Sequence, residues 1–203
     1  MKLTDRLDDT IEYRGRKIRL GLYFDVVLRA FELLQDEYFT EAEKIDILLQ
    51  MFVENPDSIA GLDMHEKTLI VQTIFDKFIS DGEAKQTGNE KPILDFEKDA
   101  AYIYASFMQD YGIDLFEAQG KLHWKKFKAL LFGLRDDTKL MKVIGYRTMD
   151  VPPPGKIPHK ERQRLLELKR FYSLDNSQTA DDIDSKFDQL ADILRPKTNR
   201  EGD

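Results

Sequence analysis

Residues 40–79 read TEAEKIDILLQMFVENPDSIAGLDMHEKTLIVQTIFDKFI, and this stretch decides the fold class. Thr40 followed by Glu43 is a capping-box signature: a hydroxyl and a carboxylate satisfy amides that the first turn of a helix leaves without partners. Ile45, Leu48, Leu49 and Phe52 then recur at helical spacing until Asn55-Pro56 ends the run. Asp63-Met64-His65-Glu66 is a second N-cap signal. Its helix carries Leu69, Ile70, Ile74, Phe75, Phe78 and Ile79 and ends at Asp81-Gly82. Two capped segments of helical period predict a helical protein.

The pattern extends in both directions. Upstream, Val27, Phe31, Leu34 and Tyr38 form a stripe, widened by Val26, Ala30 and Leu33, on a helix that begins at Phe24 and is capped by Asp25 or the residues before it. Before that, residues 10–20 (TIEYRGRKIRL) predict a short hairpin with Arg14-Gly15 at the turn and Ile11, Tyr13, Ile18 and Leu20 on one face. Downstream, residues 82–92 read as a loop, and a helix starts at Asp95 with Phe96, Ala100, Ile103, Tyr104 and Phe107 inward. Gly112 closes it as a C′ glycine. Residues 114–118 make one more turn, which Gly120 breaks. Residues 122–134 are helical again, with Phe127, Leu130, Leu131 and Leu134 inward and Lys125, Lys126 and Lys128 outward. Asp136 or Asp137 caps a short helix over 138–144 that stops at Gly145.

The character changes at residues 151–158 (VPPPGKIP), since three successive prolines cannot continue a helix and favour a stiff spacer. A basic helix over 160–172 follows, then an acidic one over 179–194 with the narrow stripe Ile183, Phe187, Leu190 and Leu194. The expected fold is mainly α: a compact multi-helix domain with an N-terminal hairpin over 1–150, a Pro-rich spacer over 151–158, C-terminal helices over 159–194 and a disordered end over 195–203.

Composition narrows the function classes. The 203 residues include no cysteine, which excludes thiolate catalysis, disulfides and iron–sulfur clusters. No apolar run approaches the roughly 18 residues of a membrane span, and the N-terminus has no secretory h-region. An intracellular protein is expected. The three histidines, His65, His123 and His159, do not form a zinc motif. Phosphate-binding glycine loops and serine elbows are absent. Neither a cofactor nor an enzymatic activity is expected.

Charge is unevenly spread around a net of −7. Residues 121–170 hold 14 Lys and Arg against five Asp and Glu, a net of +9, while residues 1–120 carry −12 and residues 171–203 carry −4. Lys125 and Lys128 beside Trp124 could meet a partner or track phosphates, and a nucleic-acid-binding accessory protein using 121–170 is the alternative function. Trp124 shares a helical face with Phe127 and Leu131, which points to the core, and a contact surface is the other reading. The stripe Ile183, Phe187, Leu190 and Leu194, lying beyond the spacer, is a candidate partner contact or packs on the chain's own domain.

Several blocks occur in order, and the first two are the specific part. They are Asp110-Tyr111-Gly112-Ile113-Asp114-Leu115, then Leu122-His123-Trp124, then Gly133-Leu134, Asp137-Thr138-Lys139 and Ile144-Gly145-Tyr146-Arg147. In these the chain resembles, from the hairpin to about residue 175, a family of small proteins of tailed phages and prophages of Gram-positive bacteria. Its members are encoded between the major tail protein and the tape measure protein. The resemblance implies a tail assembly chaperone of siphophage morphogenesis. Such a protein coats the tape measure protein, helps recruit major tail protein subunits, is absent from the finished tail, and often occurs beside a second, frameshifted chaperone product. It implies no catalytic residue. The acidic stretch 179–203 is less typical of the family.

Overall fold

The computed structural model describes residue 4, residues 7–80 and residues 93–174. The loop read over 82–92 and the segment 179–194 lie outside the described residues. Seven α-helices and one two-stranded hairpin make up the described chain, a mainly α protein. The described residues form two compact units, one of residues up to 80 with 120–125, the other of residues 93–119 and 126–174.

In the first unit, β1 (Thr10–Tyr13) pairs antiparallel with β2 (Arg16–Arg19), Ile11 opposite Ile18. Arg14 at φ 50° and Gly15 at φ 73° both take the left-handed conformation that a two-residue hairpin turn requires. The Asn55 side chain closes the outer edge of β2, accepting from the Arg19 amide and donating to the Lys17 carbonyl, both at 2.8 Å.

Three helices follow the hairpin and pack in sequence, α1 (Phe24–Gln35) on α2 (Glu41–Phe52) and α2 on α3 (Met64–Ile74). Both caps read from the sequence form, and each is a reciprocal capping box, Thr40 with Glu43 and Asp63 with Glu66. Tyr38 does not join the stripe of α1. The Asp36 carboxylate accepts the Tyr38 amide at 2.7 Å, an Asx turn that ends the helix and leaves Tyr38 exposed. Leu69, expected inward, is also exposed. After α3 the chain widens into a π-helical turn, Phe75–Ile79, closed by the Ser80 amide on the Phe75 carbonyl at 2.9 Å. Phe52 and Phe31 both contact Phe75, at ring centroid distances of 6.1 and 6.5 Å, among Ile18, Val27, Ile45 and Ile74.

The second unit contains α4 (Ala100–Tyr111), most of α5 (Trp124–Phe132), α6 (Lys139–Thr148) and α7 (His159–Phe171). Gly112 at φ 62° ends α4 as expected. Phe107 stacks on Phe127 at 5.2 Å, with Ile103, Leu131, Leu140 and Val143 buried around them. The cap of α6 is Thr138, whose hydroxyl accepts the Met141 amide, rather than Asp136 or Asp137. The helix also continues through Gly145 to Thr148. An interior glycine costs about 1 kcal/mol, and the extra turn brings Arg147 into a buried ion pair with Asp99.

Residues 151–158 are irregular, as three prolines require. The second unit runs through the prolines into α7, which Lys169 fixes by a 2.6 Å bond to the Met149 carbonyl and Arg162 by a 3.0 Å bond to the Pro152 carbonyl.

Candidate functional site

The sequence blocks that stand out are mostly architectural. In the first unit, the Leu122 carbonyl accepts the Phe24 amide at 3.0 Å and so caps α1, which has no side-chain cap of its own. His123 Nε2 lies 2.7 Å from Asp9, while its Nδ1 accepts the Lys125 amide at 3.0 Å. A ring whose Nδ1 accepts from a backbone amide must carry its proton on Nε2 and donate it to Asp9. Trp124 is 3% exposed; its indole donates to the Ile79 carbonyl at 3.2 Å and meets Phe31 edge-on at 5.8 Å. Ile79 is the last residue of its helical run, where carbonyls lack partners within the helix, and Trp124 supplies one.

In the second unit, Arg135 holds Asp110 through its backbone amide at 2.8 Å and its guanidinium at 2.9 and 2.7 Å. Both guanidinium bonds end on Oδ1 and the amide takes Oδ2, and these bonds hold the Asp110 carboxyl below the usual carboxylate range. The Tyr111 hydroxyl donates to the Leu130 carbonyl at 2.9 Å. Asp114 caps the following turn by accepting the Phe116 and Glu117 amides, and it accepts the Tyr104 hydroxyl at 3.2 Å. The Arg147 guanidinium binds Asp99 and the carbonyls of Ile93 and Tyr172. Lys139 donates to the Tyr172 hydroxyl at 3.0 Å, and Tyr172 stacks on Tyr146 at 5.4 Å.

These contacts occupy much of the basic segment. Arg135, Lys139, Arg147, Arg162 and Lys169 are committed within the second unit. Lys125 sits over the Phe78 ring at 5.7 Å. Of the candidate partner residues, Trp124 is buried, Lys125 and Lys128 are half-buried, and Ile183, Phe187, Leu190 and Leu194 lie outside the described residues. Among the described residues no group of three or more His, Asp or Glu could hold a metal ion, and no helix is long and apolar enough to cross a membrane.

The outer face of α4 has a different character. Ile103, Ser106 and Phe107 face the core of the unit. Ala101, Ala105 and Met108 are exposed on the opposite side, with Tyr104 half-buried beside them. Their spacing is i, i+3, i+4, i+7, the seam one helix offers to another. Phe116, 72% exposed, lies against Tyr104 at 5.2 Å and extends the surface. Residues 100–109 include no charged side chain, and Asp110, the single charge of α4, is held by Arg135. A surface helix normally carries charge on its outer face. Sequence reasoning followed the inward stripe and passed over this second one, although the uncharged run AAYIYASFMQ was visible.

A family model described as "Bacteriophage Gp15 protein" matches residues 3–174. No curated protein and no solved structure matches the chain.

Proposed function

This chain belongs to the bacteriophage Gp15 protein family, and from that premise we propose that it acts in phage morphogenesis as a tail assembly chaperone that covers the tape measure protein. The observation that carries the reading is the uncharged outer face of α4 with Phe116 beside it. An isolated helix of the tape measure protein exposes an apolar stripe until the tail tube encloses it, and such stripes aggregate. Ala101 and Ala105 let a second helix approach closely, while Tyr104, Met108 and Phe116 supply contact area. The high charge of the whole chain, 34% of residues, keeps such a complex in solution. The role involves no catalysis and no cofactor. Recruitment of the major tail protein, and residence in the bacterial cytoplasm without incorporation into the tail, follow from the same reading.

The test is coexpression with the tape measure protein of the same phage. The expected result is a soluble complex holding several copies of this chain. A tape measure protein equally insoluble with and without it contradicts the proposal.

A further inference from the structure

The exposed face of α4 has two banks of opposite charge. Its floor is Ala101, Ala105 and Met108. Each residue advances about 100° around a helix, so Tyr104 lies to one side of that floor and Tyr102 to the other. On the Tyr104 side stand Phe116, at 5.2 Å, and Asp114, which accepts the Tyr104 hydroxyl. Asp114 and Glu117 both lie close enough to that hydroxyl to oppose its ionisation, so this bank is acidic.

The Tyr102 side is built by α6 and the end of α7. The Leu140 amide donates to the Ser106 hydroxyl at 3.0 Å, one turn along α4 from Tyr102. That contact sets Lys139, the first residue of α6, over the Tyr102 ring at 5.5 Å and the Tyr172 ring at 5.1 Å. The Lys139 ammonium donates to the Tyr172 hydroxyl at 3.0 Å, which favours its charged form. Lys142, exposed three residues on, adds a second cation to that flank of α6.

Arg135 and Arg147 in the same unit each hold a carboxylate. Lys139 is exposed, and among the described residues its partners are a hydroxyl and two ring faces, with no carboxylate. An ammonium has three donors, and Tyr172 takes one. A surface lysine ordinarily gives up side-chain entropy to form an ion pair. Lys139 is already fixed on the rings, so a carboxylate that reaches it meets a cation ordered in advance.

We propose that the α4 face selects helices whose apolar stripe is edged by Asp or Glu, and that Lys139 is the specificity-determining residue that receives those carboxylates. The inference rests on the reading of this face as a helix seat and names the chemistry of the partner: apolar toward α4, acidic on the flank beside α6. The net charge of the chain, −7, repels such a helix at long range, so a preference for it reports this bank and not the molecule as a whole.

The test uses the full chain and two synthetic helical peptides with the same Ala and Leu stripe, one with Glu along a flank and the other with Gln at the same positions. Binding is read by fluorescence anisotropy, and the fold of each variant by circular dichroism. The chain should bind the Glu peptide about tenfold tighter than the Gln peptide, with the difference shrinking as salt is added. Lys139→Gln should bind the two alike, Lys139→Arg should keep the preference, and Lys139→Glu should invert it. These shifts separate recognition from a structural role, which would weaken both peptides equally. A wild-type chain that binds neither peptide, or both equally, or a preference unchanged in Lys139→Gln, overturns the inference. None of these measurements contains tape measure protein, so their failure leaves the chaperone reading to the coexpression test, and a failed coexpression strikes that reading whatever the peptides show.

Discussion

The guanidinium of Arg147 grips the carboxylate of Asp99 through two bonds of 2.6 and 2.7 Å, with side chains only 6% and 1% exposed. The same guanidinium reaches the carbonyls of Ile93 and Tyr172. One side chain thus joins the start of α4, the chain before it and the end of α7.

Breaking one side of such a pair leaves an uncompensated buried charge, which costs about 3–5 kcal/mol. Asp99→Ala and Arg147→Ala should each lower the unfolding free energy by that amount in urea titrations, and should loosen α7 as read by amide exchange over 159–171. A loss below about 1 kcal/mol would mean that the pair is in effect solvated.

Trp124 is the single tryptophan and is 3% exposed in the first unit. Its emission should be blue-shifted and resistant to iodide. Trp124→Ala should cost about 3–5 kcal/mol. Trp124→Phe should cost less, chiefly the bond to the Ile79 carbonyl, about 1 kcal/mol. Emission at the wavelength of free tryptophan would contradict the placement.

Asp110 ionises more readily in the folded state because Arg135 holds its charged form. A carboxyl with a depressed folded pKa contributes stability above its unfolded value, about 3.9. That contribution is lost as pH falls through the lower folded value. Stability of the chain between pH 7 and pH 3 should therefore fall more steeply than that of Asp110→Asn. Parallel profiles would show that the Arg135 contact contributes nothing to acid sensitivity.

The legible part of the fold was local. The hairpin turn at Arg14-Gly15, the caps at Thr40 and Asp63 and the stop at Gly112 each depend on a few adjacent residues. What escaped depends on distant partners. Gly145 marked a helix end locally, yet Arg147 carries α6 onward because Asp99, 48 residues earlier, awaits it. The periodicity of Trp124 points to the core, but its bond to the Ile79 carbonyl depends on a partner 45 residues earlier, which no local pattern announces. The candidate surface was the least legible. Basic residues drew attention to 121–170, where Arg135, Arg147 and others serve the interior. The exposed alanines of α4 look like ordinary helix formers until the core face is known.

The outer face of α4 as the seat of the tape measure helix is the central claim, and one substitution series tests it. Ala105→Glu and Met108→Glu place charge on exposed positions of that face, where each should change stability by no more than about 0.5 kcal/mol. Lys126→Glu, exposed on α5, serves as the control. Each variant is coexpressed with the tape measure protein, and the soluble complex is quantified by size-exclusion chromatography. The account predicts that the two α4 variants, though folded, yield less than a tenth of the wild-type complex, while Lys126→Glu yields as much as wild type. Undiminished complex from Ala105→Glu and Met108→Glu would contradict it.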